Sequence, residues 1–185
     1  MKATEQLMAE HETVLVALEL LDRVGNAIAA GKAAAPGHLD QLLDFLKGFV
    51  DRCHHGKEED VLFPELEKLG LARDGGPIGV MLSEHVGGRG HIRALGDALA
   101  RLRAGDRTAS EAIRQNVSAY RALLQAHIQK ENSVLFPMAD RLVPADAVAG
   151  IVDRFEAIER DRLGEGKHET YHAMLHDLGS TYGLD

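Results

Sequence analysis

Two stretches of this chain repeat the same pattern, and the repeat constrains the fold more than any other feature of the sequence. Residues 54–64 read HHGKEEDVLFP and residues 127–137 read HIQKENSVLFP, with seven of eleven positions identical. Upstream, the pair Glu10-His11 matches the pair Glu84-His85. The offset is 73 residues for the longer block and 74 for the pair, so one extra residue in a loop reconciles them. The repeat predicts two similar halves related by an approximate two-fold axis.

The apolar pattern is helical nearly throughout. One face of the first segment carries leucines at helical spacing, Leu7, Leu15, Leu18 and Leu21. Glycines and prolines divide the chain, and the predicted helices cover 4–30, 38–69, 77–104 and 108–142, then a fifth from about Pro144 and a last one at 167–178. We expect an all-α, antiparallel up-down four-helix bundle in 1–142, because four long helices are joined by short links. A C-terminal helical extension in 143–185 is expected to pack on it.

Composition excludes several classes of protein. The chain has 185 residues, a net charge of -8 and one cysteine, Cys53. The single cysteine excludes a disulfide framework and a Cys-based zinc or iron–sulfur site, and the acidic balance argues against nucleic-acid binding. No apolar run approaches the roughly 20 residues of a membrane-spanning helix, and the first residues lack the apolar core of a signal peptide. We therefore expect a cytoplasmic protein with neither a membrane nor a nucleic-acid partner.

The repeat carries potential metal ligands. A histidine precedes a glutamate by four residues in each half, as His54/Glu58 and as His127/Glu131. Residues at this spacing lie on one helical face with Cβ atoms about 5–6 Å apart. His11 and His85 add one imidazole per half, and this set of nitrogen and oxygen ligands suits iron, manganese or zinc rather than copper(I). Two ions bridged by both carboxylates and a shared oxide or hydroxide would each keep one open position for O2, peroxide or nitric oxide.

A plainer interpretation exists for either half alone. A His–Glu pair at this spacing is often a salt bridge on a helix surface, and a lone buried histidine is often a satisfied core residue. The recurrence of the same three ligand types at matched offsets favours a metal centre. Burial of two carboxylates and four imidazoles without an ion would also be costly.

These motifs resemble those of the hemerythrin-like, or HHE cation-binding, family. The resemblance rests on His11-Glu12, on the block at 54–64 and on its echo at 127–137, and it covers about residues 4–142. It implies an up-down four-helix bundle that holds a non-haem di-iron centre, two iron ions with oxo or hydroxo and carboxylate bridges. The metal ligands that it implies are His11, His54, Glu58, His85, His127 and Glu131.

The sequence departs from the oxygen-carrying hemerythrins at two positions. Those proteins have a second histidine four residues after the third-helix histidine, where this chain has Arg89, and an HxxxxD motif where this chain has HxxxE ending at Glu131. The pattern is more similar to bacterial repair-of-iron-centres proteins, which act in nitrosative and oxidative stress. The resemblance therefore implies a protein that handles O2, peroxide or nitric oxide with an unidentified redox partner. A non-catalytic oxygen or redox sensor, or an iron-buffering protein, is the alternative.

The sequence also predicts where several other residues lie. We expect Arg89 to pair with a carboxylate, Tyr120 to be a core tyrosine and Cys53 to be a small buried residue. His55 is turned about 100° from His54 on an α-helix, so we expect it to be exposed. Ligand imidazoles are commonly oriented by carboxylates, and the candidates are Glu10, Glu12, Glu59 and Glu84. His91 is expected outside the ligand set.

The segment from His168 to His172 matches the H-E-x-x-H motif of zinc peptidases. A peptidase also needs a third ligand and a substrate cleft, and the continuation with a glycine and a third histidine is missing, although His176 extends the same helical stripe. A zinc peptidase is therefore a remote alternative. We prefer an amphipathic end-piece that docks on the bundle, with a weak surface metal site or a homodimer contact as further options.

Overall fold

The computed structural model describes residues 2–184, and it is helical along nearly all of that range. Six rods follow one another along the chain. They are α1 (Ala3–Ala29), α2 (35–68, composed of Ala35–Phe45, Leu46–His55, Glu58–Leu62 and Phe63–Lys68), α3 (Pro77–Arg103), α4 (109–142, composed of Ala109–Lys130, Glu131–Leu135 and Phe136–Leu142), α5 (148–163, composed of Val148–Ile158 and Glu159–Leu163) and α6 (Lys167–Tyr182). Four of these segments are π-helical, namely Leu46–His55, Glu58–Leu62, Glu131–Leu135 and Glu159–Leu163. None of the helices in 2–184 has both the length and the apolarity needed to cross a bilayer.

The first four rods form a bundle. α1 packs against α2 and α4, while α3 packs against α4 and α2. Consecutive rods run antiparallel because the links between them are short. Gly70 and Gly105 follow the ends of α2 and α3 with φ of 95° and 96°, a left-handed conformation that glycine adopts without a Cβ clash. The predicted all-α, up-down four-helix bundle is thus confirmed, and its helix ends lie within three residues of the predicted ones.

The interior consists of two apolar clusters separated by a polar layer. On α1, Leu7 belongs to one cluster and Val14 to the other, and His11 lies between them in the sequence. Polar-layer residues lie between the two clusters on the other three rods as well, with the order of the clusters along the sequence reversed on α2 and α4. The buried polar and charged side chains of this layer are Glu10, His11, His54, His55, Lys57, Glu58, His85, His127 and Glu131. The apolar clusters therefore fix the position of the polar layer along the bundle axis.

The last two rods pack on α1 and α2. α5 contributes Ile151 and Phe155 to one apolar cluster, and α6 contributes Tyr171 and Leu175 to the other. The Tyr171 hydroxyl lies 3.1 Å from the backbone oxygen of Asp44 on α2, to which it donates a hydrogen bond. The predicted helical extension thus packs on the bundle through buried apolar side chains. The division of the chain into domains at residues 142 and 143 stays a prediction.

Candidate metal centre

Four helices bring the six predicted ligands together in the polar layer. α1 contributes His11 and α3 contributes His85, while α2 and α4 each contribute a His–Glu pair. Each of the six residues has at most 2% of its surface exposed, His11, His54, Glu58, His85, His127 and Glu131 alike. The structure therefore encloses the whole set, and their role as ligands is taken up below.

The imidazoles face each other in two pairs. Nε2 of His11 lies 3.1 Å from Nε2 of His54, and Nε2 of His85 lies 3.2 Å from Nε2 of His127. The first pair comes from α1 and α2, and the second from α3 and α4. Each half of the sequence repeat therefore supplies one imidazole pair.

Each carboxylate reaches both imidazole pairs. Glu58 places Oε1 3.7 Å from Nε2 of His54 and Oε2 3.4 Å from Nε2 of His85. Glu131 places Oε2 3.2 Å from Nε2 of His11 and Oε1 3.3 Å from Nε2 of His127. The two glutamates thus connect the two pairs, as carboxylates that bridge two metal ions would.

The spacing and the hydrogen bonding both fit bound cations. Nitrogen and oxygen ligands about 2.0–2.2 Å from an ion, with bonds near right angles, stand about 3 Å apart. The four carboxylate oxygens of Glu58 and Glu131 each lie 3.2–3.7 Å from an imidazole nitrogen, but none of these contacts has hydrogen-bonding geometry. All four oxygens are therefore buried without a hydrogen-bond partner. Burial of carboxylate oxygens without a hydrogen-bond partner is unfavourable in free energy unless the oxygens coordinate a cation.

A second ring of residues orients the imidazoles. The Nδ1 atom of each one lies 2.7–2.9 Å from an oxygen on another helix, in the pairs His11–Asn132, His54–Glu10, His85–Glu59 and His127–Glu84. Because Nδ1 donates its proton there, Nε2 of a neutral imidazole carries a lone pair that points into the cluster. Three of the four predicted orienting carboxylates are confirmed, whereas Glu12 is exposed.

Asn132 was missed by the sequence analysis, although the repeat contains a signal for it. Asn132 follows Glu131 just as Glu59 follows Glu58, and both residues accept a hydrogen bond from an imidazole of the opposite half. The sequence search considered carboxylates only, and Asn132 carries an amide at the position where the first half has the Glu59 carboxylate. The two halves therefore exchange orienting groups as well as carboxylates, since Glu58 and Glu131 each reach an imidazole of the opposite half.

Basic side chains balance these outer carboxylates. Lys57 is fully buried, with Nζ 2.6 Å from Glu10 and 2.8 Å from Glu159 of α5. Its counterpart in the second half, Lys130, pairs with Glu84. Arg89 donates to Glu59 over 2.8 Å and to Asp51 over 2.7 Å, which confirms that it pairs with carboxylates.

In the metal-free protein the cluster retains protons. Burial, together with the adjacent Glu58 carboxylate, raises the pKa of Glu131 well above its usual range. Burial opposes protonation of His85, but the adjacent Glu58 carboxylate and the Glu59 carboxylate, which accepts a hydrogen bond from Nδ1, raise its pKa to about 9. Burial lowers the pKa of both His11 and His127 to about 4. A bound cation would take the place of the retained protons, because metal ligands bind in their deprotonated forms.

The expected exposure of His55 is wrong. His55 is 4% exposed, and its ring stacks on that of His85 with centroids 3.8 Å apart. The 100° rotation between neighbours applies to an α-helix, whereas His54 and His55 end the π-helical segment Leu46–His55, whose wider turn accommodates both imidazoles inside. Ligand atoms of His55, Glu58, His85 and His127 all lie within 4.8 Å of one another, and the same is true of His11, His54, Glu58 and Glu131.

The remaining candidates lie outside the cluster. Tyr120 and Cys53 are buried as expected, and His91 hydrogen-bonds to Asn116 over 3.2 Å. The rings of His168 and His172 are 4.6 Å apart beside a cleft of about 930 Å³ between α1, α5 and α6. Within residues 2–184 no third metal-ligating group joins these two histidines. The remote peptidase alternative therefore lacks the third ligand that it requires.

Comparison with known proteins gives three kinds of result. The family model for the hemerythrin HHE cation binding domain matches residues 2–139. Uncharacterized proteins of Mycobacterium bovis and Mycobacterium tuberculosis are 27% identical over 98% of this chain and 71% of their own length. A protein of Edwardsiella ictaluri named iron-sulfur cluster repair protein YtfE is 33% identical over 70% of this chain and 59% of its own length. No solved structure matched the chain.

Proposed function

Because the chain belongs to the hemerythrin HHE cation-binding family, we propose that its buried cluster holds a non-haem di-iron centre that handles O2, peroxide or nitric oxide. The proposed ligands are the six residues His11, His54, Glu58, His85, His127 and Glu131. A metal cation-binding site is implied by the family itself, while the identity and number of the ions and the small-molecule chemistry are our proposal.

The observation that carries the proposal is the facing of imidazole lone pairs. With Nδ1 protons directed at Glu10 and Asn132, the Nε2 lone pairs of His54 and His11 point at each other over 3.1 Å. In the other half, Nε2 of His85 and Nε2 of His127 face each other in the same way over 3.2 Å. Two lone pairs that face each other at this distance in a buried site repel unless a cation lies between them, which is a proton in the metal-free cluster and a metal ion when one is bound.

Two ions fit better than one. Each imidazole pair has its own location, and Glu58 and Glu131 each direct one oxygen to either pair. A set of neutral imidazole and carboxylate ligands without thiolates is of the kind that binds non-haem iron. When bound, iron supplies the redox and ligand-binding chemistry that side chains lack.

The protein's own contribution is to hold the ligands and to exclude water. The outer hydrogen bonds fix each imidazole tautomer before metal binds, and the nearly complete burial of the ligands restricts access to small molecules. O2, peroxide and nitric oxide satisfy that restriction, whereas a peptide does not. The name of the Edwardsiella relative, which refers to iron–sulfur cluster repair, supports a role in oxidative or nitrosative stress for this chain.

The direct test is metal analysis and absorption spectroscopy of the untagged protein purified in air. We expect about two iron ions per chain and the near-ultraviolet and visible bands of a bridged ferric pair. The His54→Ala variant should lose them, while the His172→Ala variant should keep them and serves as the matched histidine control. Zinc alone, or a colourless folded protein that takes up no iron, would contradict the proposal.

Stopped-flow reaction with peroxide and with nitric oxide separates an enzyme from a sensor or an iron buffer. Repeated consumption of either substrate in the presence of a reductant indicates turnover. A single spectral change in proportion to the protein indicates a sensor. Iron release without consumption indicates an iron buffer. The same His54→Ala variant should be inactive in every one of these assays.

A further inference from the structure

His168 and His172 form a third pair of neighbouring imidazoles, outside the buried cluster. They lie four residues apart on α6, a spacing that puts both side chains on one face of the helix. His172 is exposed and His168 is half-buried, and both line the cleft between α1, α5 and α6. A metal ion from solution can therefore reach both rings.

The two rings are arranged like those of the cluster pairs. Their centroids are 4.6 Å apart, and their planes make an angle of 54°. In the cluster, the pair from α1 and α2 has values of 4.8 Å and 55°, and the pair from α3 and α4 has values of 4.8 Å and 62°. Because the rings are inclined rather than parallel, an in-plane nitrogen of each can be directed at one ion.

Neither imidazole is engaged by a hydrogen bond within residues 2–184. The side-chain hydrogen bonds at this end of α6 involve Lys167, Thr170 and Tyr171 instead. His168 contacts the ring of Phe49 on α2, with centroids 5.6 Å apart, and this contact limits its movement. One imidazole is thus held in place, and the nitrogens of both are available to a metal.

The charge of the cleft favours a cation. Five glutamates and one arginine line it. Lys57 pairs with two of these glutamates, and the other three, Glu156, Glu165 and Glu169, still outnumber Arg160. A cleft lined mainly by one sign of charge concentrates ions of the opposite sign, which here are cations.

We propose that His168 and His172 form a second metal site, separate from the buried cluster, which binds a divalent first-row transition-metal ion from solution. Imidazole ligands suit zinc, copper, iron and nickel, whereas magnesium and calcium prefer oxygen ligands. The protein supplies two ligands and water completes the coordination, so binding is reversible and weaker than in the cluster. Without a third protein ligand the site binds metal but does not become that of a peptidase.

The bound ion also strengthens the start of α6. Gly166 precedes this helix with a φ of 73° and has no side chain to cap it. The first backbone N–H groups of a helix lack acceptors within the helix, so an uncapped first turn opens more easily than the turns that follow. An ion that joins His168 in the first turn to His172 in the second opposes this opening.

Calorimetric titration of nickel(II) into the untagged protein, with its cluster metal in place, tests the site. We expect about one nickel ion per chain in the wild type and a Kd raised more than about 10-fold in His172→Ala, since a lost ligand costs at least as much as a lost outer partner. His168→Phe should show the same loss while it keeps a ring against Phe49. His176→Ala, one turn further along α6, is the matched control and should bind nickel as the wild type does.

Three results would overturn the proposal. The first is a wild type that binds no nickel. The second is equal affinity in the wild type, His168→Phe and His172→Ala, which would mark the nickel as adventitious. The third is a loss in His176→Ala as large as that in His168→Phe. If His168→Phe does not fold by circular dichroism, His172→Ala decides alone, because its side chain is exposed.

Hydrogen exchange gives a second readout that does not depend on the heat of binding. Nickel should slow the exchange of the backbone amides of residues 168–172 in the wild type and leave it unchanged in His172→Ala. Exchange that slows equally in both proteins would mean that the ion acts from another place, and it would contradict the pair.

The His54→Ala variant separates this site from the buried cluster. It lacks one proposed cluster ligand but keeps both histidines of α6, so it should bind nickel with the affinity of the wild type. Nickel binding that is lost in His54→Ala and kept in His172→Ala would assign the ion to the cluster and overturn this inference. That outcome does not depend on whether the cluster takes up iron.

Discussion

At the scale of single residues, the cluster is organised by the groups that hydrogen-bond to the proposed ligands. Every cluster imidazole of the six-residue set has an oxygen acceptor on its Nδ1 atom, and each acceptor comes from a different helix than the imidazole that it orients. This arrangement sets the tautomer and the ring plane before any ion arrives. It also gives single substitutions outside the ligand set a measurable effect.

Replacement of Glu84 by alanine tests that outer ring. The variant removes the acceptor 2.9 Å from Nδ1 of His127 and leaves Lys130 without its partner. We expect metal affinity to fall about 10–100-fold at the ion bound by His127. Chelator competition measures the change, and Glu111→Ala, which removes an exposed carboxylate paired with Arg114, is the control. An affinity equal to that of the wild type would show that the outer ring does not tune the site.

Cys53 provides a residue-scale test of burial and of pH dependence. Its thiol is 1% exposed, and burial raises its pKa from 9.0 to about 11. Alkylation by iodoacetamide at pH 9 should therefore be slower in the folded protein by about 50-fold from ionisation alone, and by more from burial. The urea-unfolded chain is the reference, since it contains no other thiol. Equal rates would place the thiol at the surface.

The sign of the Cys53 effect on stability follows from the same shift. The folded thiol resists ionisation, whereas the unfolded thiol ionises near pH 9. Deprotonation of Cys53 therefore favours the unfolded chain as pH rises from about 9 to about 11. The stabilising contribution of the buried, neutral thiol is fully present below pH 9 and is lost across this range. Urea titrations between pH 8 and pH 11 on wild type and Cys53→Ala should diverge in this window.

At the scale of helices, sequence periodicity located the rods and the six proposed ligands but misplaced His55. The repeat, the spacing of four and the pattern of breakers are local signals that an α-helix preserves. A π-helical turn is not visible in those signals, because it depends on how α2 packs around the polar layer. The assumption of 100° per residue therefore rotated His55 to the surface, while His54 and Glu58 were placed correctly.

The contact between α2 and α6 provides an element-scale prediction. Gly48 lies against Tyr171, and a methyl group in its place would overlap the Tyr171 hydroxyl. We expect Gly48→Ala to destabilise the protein by about 1–3 kcal/mol through overpacking. In a Tyr171→Phe background, which lacks the hydroxyl, the same substitution should be close to neutral.

Urea unfolding of the four proteins in this double-mutant cycle measures the coupling between the two positions. Gly90→Ala is the control for helix propensity, because its added methyl group meets no atom within 4 Å. That variant should gain up to about 1 kcal/mol. A Gly48→Ala cost that is the same in both backgrounds would mean that α6 does not approach α2 closely at this point.

At the scale of the whole molecule, the polar layer separates two apolar clusters that are each extensively buried. These clusters should keep the bundle folded without metal, while the metal adds stability by binding the native state alone. At a free metal concentration about 100 times Kd, the gain is about 2.7 kcal/mol for each site and about 5.4 kcal/mol for the two proposed ions, which corresponds to roughly 10–20 °C in Tm for a chain of this size.

We therefore expect chelation to lower Tm by this amount without loss of helical circular dichroism. The His54→Ala variant should show little or no response to metal, because its cluster is already incomplete. Calorimetry with and without chelator measures both effects. A metal-free chain that loses its helices would show instead that the apolar clusters alone cannot maintain the bundle.

The repeat has a further consequence at this scale. Each helix pair contributes two imidazoles of its own, one carboxylate that reaches both imidazole pairs and one orienting group for the opposite pair. A single helix pair is therefore incomplete, but two identical copies joined about a two-fold axis would enclose the same cluster at their interface. The repeat in this sequence is the pattern that duplication and fusion of such a half-length chain would produce. The two halves of the cluster differ at Glu59 against Asn132 and at His55 against Ile128, so the fused chain carries an unsymmetrical site that a dimer of identical halves could not form.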